Sequence, residues 1–228
     1  FQPWEGGEGR VLAAWEQACL ARARTAADPR QAVRHAEAAL APPRNLGEAR
    51  HPLANTADLH LALGDALDAA GDRDAARAAW EQAAAQQGDF QTMQVQAHSE
   101  HTAAAVTALR RLGEHVTARA LRDDLARYID EQARTEARID YFATSLPHML
   151  LFTADLQAAH DTRVLVLRAQ LALLDSAPDH AHDHARNGAH GHALDRAAAL
   201  AGTALERDPL NPAARTALAR VRLRREAT

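Results

Sequence analysis

This 228-residue chain predicts an all-α protein built of stacked helical hairpins, on three observations. Residues 59–85, LHLALGDALDAAGDRDAARAAWEQAAA, carry apolar side chains at the helical period on both sides of a tight turn, Ala70-Gly71-Asp72. Leu59, Leu63 and Leu67 step along the first helix with Ala66 and Ala70 beside them, and Ala76, Trp80 and Ala83 share one side of the second. Setting Gly71 against Gly113 then lays GDRDAARAAWEQAA over GEHVTARALRDDLA, so that Ala76 meets Ala118 and Leu67 meets Leu109. Finally, the second helix recurs twice more. One copy is 27–40, with Ala32, Ala36 and Ala39 inward; the other is LDRAAALAGTALERDPLNPAA, where Asp208-Pro209 is followed by Asn211-Pro212 opening another helix.

A hairpin this short cannot bury its apolar face alone, so it needs neighbours of its own kind. Gly64 sits mid-helix, where it costs about 1 kcal/mol relative to Ala, and is explained if a partner helix crosses close by. The order of Gly turn, small residue at the crossing, Asp-Pro and new helix resembles the tetratricopeptide repeat. That resemblance implies tetratricopeptide-like hairpins stacked as a right-handed α-solenoid; the alternative is an irregular helical bundle. The expected organisation is one repeat domain over 1–228, with loop insertions at 42–58, 86–99 and 176–192.

Composition narrows the function classes. Hydrophobic residues make up 47% but aromatic ones only 4%, which leaves few platforms for stacking nucleic-acid bases or sugars. Net charge is -4, with the positive charge carried by Arg, so electrostatics make no case for nucleic-acid binding. The single cysteine, Cys19, lies in an apolar helical run and reads as buried and inert. There is no signal peptide and no uninterrupted apolar span that would cross a membrane, so no membrane partner is expected. A first residue of Phe, not Met, suggests a processed product or an excised domain, and a cytoplasmic location is the working expectation.

The elements follow in order. FQPWEGGEG, residues 1–9, is a Pro/Gly-interrupted lead-in anchored by Phe1 and Trp4; its glycines follow no strand and precede no Lys-Ser/Thr, so they make no phosphate loop. A helix over 10–26 presents Val11, Leu12, Trp15, Cys19 and Leu20, with Trp15 read as core between the first two helices. After a helix over 30–41 comes PPRNLGEARHPLANTAD, a long polar connection with Asn45, Glu48, His51 and Asn55. Such insertions fall at the edge or the binding face of a repeat stack. Residues 86–99 read as a second irregular connection that Phe90 and Met93 fasten to the stack. Helices over 100–112 and 116–139 follow, the latter charged along one side. DYFATSLPHMLLF, 140–152, is the densest apolar and aromatic stretch, and a helix over 157–175 comes after it.

The run SAPDHAHDHARNGAHGHA, 176–193, stands where a short turn is expected between paired helices. His180, His182, His184, His190 and His192 supply imidazoles suited to Zn, Ni, Cu or Co ions, with Asp179 and Asp183 among them. An alternating spacing in a flexible loop brings two or three imidazoles to one ion, without a preformed shell. The expectation is weak or adventitious metal binding and no cofactor. Elsewhere no nucleophile elbow, phosphate fingerprint or paired catalytic carboxylate is present, and the lone serines Ser99 and Ser145 read as local hydrogen-bonding residues.

PWEGGEGRVL (3–12), DPRQAVRHAEAAL with NLGEARH, LALGDALDAAGD (61–72) and IDYFATSLPHMLLFTADL (139–156) together resemble one family. It is the C-terminal tetratricopeptide-like region of large bacterial proteins carrying the domain of unknown function 5107. In those proteins a β-rich region like the galactose-mutarotase supersandwich comes first, and the whole resembles carbohydrate-active proteins. The resemblance covers 1–215; Trp4, Glu5, Gly6 and Gly7, Asn45, Gly47 and Glu48, and Asp140 to Phe142 with Ser145 to Pro147 carry over. It assigns no catalytic role to any of them. What it implies is a helical module; the candidate interaction or ligand surface, read from the polar segments themselves, is Trp4, Glu5, Asn45, Glu48 and His51.

The leading expectation is therefore a non-catalytic repeat module that docks on an upstream domain of the same protein or on a protein or peptide partner. The alternative is an accessory domain that completes the active site of a carbohydrate-active parent, with a carbohydrate partner. A metal-responsive element built on the histidine run is the third reading.

Overall fold

The computed structural model describes residues 10–91, 94–137, 155–176 and 187–226. The protein is all-helical in character, and nine α-helices account for most of the described residues. They are α1 (Arg10–Thr25), α2 (Pro29–Leu40), α3 (Ala57–Ala69), α4 (Arg73–Ala84), α5 (Thr102–Arg111), α6 (His115–Gln132), α7 (Leu156–Asp175), α8 (Asn187–Arg207) and α9 (Pro212–Glu226). Phe1 and Trp4, Met93, and the apolar stretch 140–152 with Ser145 lie outside the described residues.

Helix starts follow from side-chain capping of orphan amides. Asp28 precedes Pro29 at the first turn of α2, and its carboxylate accepts from the Arg30 N–H at 3.0 Å. The Asp72 carboxylate accepts from the Ala75 N–H at the head of α4, and that of Asp155 from the Ala158 N–H at the head of α7. At α9, Asn211 Oδ1 accepts from the Ala214 N–H and Pro212 opens the helix.

The two aligned glycine turns are one motif. The Gly71 N–H donates to Asp68 O and the Asp72 N–H to Leu67 O; the Gly113 N–H donates to Arg110 O and the Glu114 N–H to Leu109 O. Both glycines have positive φ, 87° and 80°. This is the Schellman arrangement, which satisfies the last carbonyls of a helix through a left-handed residue. Five residues beyond each glycine stands a buried alanine, Ala76 and Ala118.

The chain groups into two compact units. The first takes residues 1–91, 95–97 and 104–118, and the second takes 92–94, 98–103 and 119–228. In the first, α1 packs on α2 and α3, α2 on α3, and α3 on α4. Cys19, Leu20, Ala39 and Leu59 form a core against which Trp15 and Ala62 pack, and Trp15 Nε1 donates to Ala38 O of α2. Gly64 is explained by the crossing of α4: a Cβ built there would lie 2.5 Å from Trp80 Nε1 and 3.1 Å from Ala76 O. In the second unit α7, α8 and α9 pack on one another. Ala169, Ala172 and Leu173 of α7 close on Leu194, Ala197 and Ala201 of α8 and Ala217 and Val221 of α9.

Several expectations are corrected. Residues 86–99 are not irregular throughout, because Asp89–Gln91 (β1) and Gln94–Gln96 (β2) pair as a two-stranded sheet. Helix α6 stops at Gln132, short of 139: the Arg134 and Thr135 N–H groups turn back to Glu131 O and Gln132 O, and His160 Nε2 bonds Gln132 O at 2.8 Å. Helix α8 begins at Asn187, so the insertion at 176–192 ends earlier than its composition suggests. Ala70 is exposed whereas Leu61 is buried, because α3 is covered on more than one side by α1, α2 and α4.

Candidate interaction surface

The connection 42–58 is ordered by its own polar residues. A single 3-10 turn, Arg44–Leu46, ends at Gly47 with φ 77°, and Asn45 on it is exposed. Glu48 then reaches back to α1: its Oε2 accepts from the Leu12 N–H at 2.8 Å. An anion at this end of a helix meets unsatisfied N–H groups and the positive end of the dipole. The other carboxylate oxygen, Oε1, is buried and accepts no bond from the described residues.

Two residues later Arg50 does the converse at the end of α2. Its guanidinium donates to Ala39 O at 2.8 Å and Leu40 O at 3.0 Å, and it pairs with Glu16 of α1. The positive charge therefore sits on helix-terminal carbonyls, where it is favoured. The α1 N-terminus and the α2 C-terminus lie at the same end of this hairpin, so one connection caps both.

His51 departs furthest from the picture of a free ligand-binding imidazole. Its ring stacks on Phe90, centroids 4.1 Å apart and planes 17° off parallel, and its Nδ1 accepts from the Leu53 N–H. Asn55, buried, completes the join. Its N–H donates to Asp89 Oδ1 at 2.9 Å, its Nδ2 to Gly88 O at 2.8 Å, and its Oδ1 accepts from the Ala57 N–H at the head of α3. The Phe90 N–H also donates to Leu53 O. Leu53 and Val95 remain exposed.

Glu48 and His51 thus stand in one loop but serve different neighbours, and the structure does not bring them together with Asn45 as a chemical set. Trp4 and Glu5 lie outside the described residues, as do His180, His182 and His184. His190 and His192 occupy the first turns of α8, two positions apart, where helical geometry turns their side chains away from each other. Among the described residues no group of three His, Cys, Asp or Glu side chains is placed to hold a metal ion. Cys19 is buried, and burial pushes its thiol pKa up, away from reactivity.

Sequence reasoning missed a polar cluster in the second unit. His98 is buried with its Nε2 2.9 Å from Asp124 Oδ2, and its ring meets Tyr128 edge-on. Arg163 of α7 pairs with Glu100 at 3.1 Å, and Gln170 Nε2 donates to Glu100 O. Burial raises the Tyr128 pKa, with the Arg163 charge opposing. These bonds fasten the strand-to-helix segment 98–101 to α6 and α7. No spacing signal links residues so far apart in sequence.

No protein-family model matches the chain, and no solved structure matches it. Among the described residues no helix is long and apolar enough to cross a membrane.

Proposed function

We propose that the chain is a non-catalytic helical repeat module of tetratricopeptide-like kind, stacked as a right-handed α-solenoid. It docks on an upstream domain of the same protein or on a protein or peptide partner. The observation that carries this reading is the repeated Schellman turn at Gly71 and Gly113, each followed five residues later by a buried alanine. Repetition of one hairpin builds an extended surface for binding other chains. The residue patterns at 3–12 and 139–156 support membership of the domain-of-unknown-function 5107 proteins, with this chain as their helical region. The carbohydrate-site alternative has less to stand on, because Glu48 and His51 already cap α1 and brace the 42–58 loop.

Two measurements test the reading together. The purified chain is screened for turnover of glycans, and crosslinks are mapped in cells with a carboxyl-directed reagent, since all 26 basic residues are arginines. The expected result is no turnover and crosslinks from the helices to another polypeptide or domain. Turnover abolished by Glu48→Ala or His51→Ala would overturn it.

A further inference from the structure

We propose that the outer face of α9 is a docking surface for an acidic, helix-forming segment of a protein partner. The inference rests on the docking reading above and names the partner's chemistry. Charge is unevenly placed along this chain: α9 carries five arginines and one glutamate, a balance of +4, while the other 21 arginines face 29 acidic residues, a balance of -8. Two of the α9 guanidinium groups are offered outward. Arg222 is exposed, and Arg215, also exposed, donates to the neutral carbonyl of Pro209, whereas Arg225 pairs with Asp195.

The same helix shows an apolar residue where its packed side ends. Ala214, Ala217 and Val221 face α7 and α8, while Leu223, on the opposite face, is 53% exposed. Thr216, Ala219 and Leu223 follow one another by three and four residues, the ridge on which a second helix packs. This ridge, with half-buried Thr216 and Ala219, exposed Leu223 and the Arg215 and Arg222 guanidinium groups along one side, fits a helix that offers leucine-like side chains at that spacing, edged by carboxylates. Carboxylates at the rim would meet Arg222 in the fork geometry that favours arginine. A polyanion such as nucleic acid fits less well, because the rest of the chain repels it and Leu223 gives it nothing to bond.

Random peptides long enough for about four helical turns are displayed on phage and selected on the whole chain. Enriched peptides are then measured by anisotropy against Leu223→Asp and Arg222→Glu, whose helical spectra should match the parent. The expected result is net-acidic peptides with apolar residues three and four apart, bound at least about tenfold more weakly, roughly 1.4 kcal/mol, by each variant. Neutral or basic peptides, or affinities for both variants unchanged from the parent's, overturn the α9 assignment and leave the docking reading intact. A single-stranded oligonucleotide that binds with the same dependence on Leu223 and Arg222 also overturns it, in favour of nucleic acid. Absence of any enriched peptide overturns the α9 inference, while the docking reading stands or falls on the crosslinks.

Discussion

The indole of Trp80 occupies the space that a side chain on Gly64 would need. A Cβ there would press on Cδ1 of the ring and stand 2.5 Å from its Nε1, and the ring is held by a bond from Nε1 to Asp65 Oδ1 at 3.1 Å. Asp65 in turn accepts from Arg111 Nε at 3.1 Å, so the indole cannot swing aside without losing its bond to a carboxylate that is itself held in place. Gly64→Ala should therefore destabilise the chain by about 1–3 kcal/mol, although Ala is the better helix former. Gly202 in α8 is the control. Nothing lies within 4 Å of a Cβ built there, and Gly202→Ala should stabilise by roughly 0.5–1 kcal/mol. Urea denaturation of both variants checks the pair; the same sign at both positions would refute the close crossing.

The two Schellman turns make a matched prediction. A methyl group added at Gly71 or at Gly113 would have no atom within 4 Å, so Gly71→Ala and Gly113→Ala meet only the cost of a left-handed backbone. Each should lose about 1 kcal/mol, while Asn, which tolerates that conformation, should lose less. Unequal losses, measured by thermal unfolding, would mean that the turns are not equivalent.

Asn55→Ala removes two side-chain bonds, to Gly88 O and from the Ala57 N–H, inside a buried join. The expected cost is about 1–3 kcal/mol, with faster amide exchange at Ala57 and through 88–90. Exchange confined to other residues would detach the two connections from each other.

His60 supplies the pH dependence. Burial first, then the Arg50 charge, pushes its pKa below the ordinary value, and Asp58 opposes them. The unfolded chain thus takes up a proton that the folded one resists. This contribution to stability is intact above about pH 6.5 and is lost as pH falls from there toward the folded value. His60→Gln should flatten that part of the curve, read from urea midpoints at about pH 7.5 and about pH 5.5. A variant with an unchanged slope would exclude His60 as the source.

The histidine run should bind Ni or Zn weakly and without stabilising the fold. His190 and His192 cannot share an ion without unwinding the start of α8. Melting with and without chelator checks this: a gain above about 2.7 kcal/mol at modest metal excess would mean tight binding to the native state. A deletion that tests whether the insertion is dispensable has to end before Asn187.

The helical pattern is legible in the sequence because alanine and leucine at helical spacing, glycine turns and Asp-Pro or Asn-Pro starts are local signals. Trp15, Ala76 and Gly64 are readable for the same reason: each is explained by the helix next to it in sequence. The remainder is non-local. Glu48 and His51 look like a pair three residues apart, yet one bonds Leu12 and the other stacks on Phe90. The short strands at 89–96 lack the alternation that marks a longer one, and Gly88, just before the first, lies so close to the second that a Cβ there would come 3.0 Å from Gln96 O. The start of α8 is hidden because histidine, glycine and asparagine are poor helix formers.

The caps supplied by Glu48 and Arg50 bear on how the chain is made. Synthesis delivers α1 and α2 before the residues that close both open ends of that pair. Until then the Leu12 amide and the carbonyls of Ala39 and Leu40 lack these partners, so a nascent chain ending near Ala41 should fray and be readily cut by proteases. Emergence of the 42–58 segment is then a folding step in its own right, a clasp that arrives after the parts it fastens.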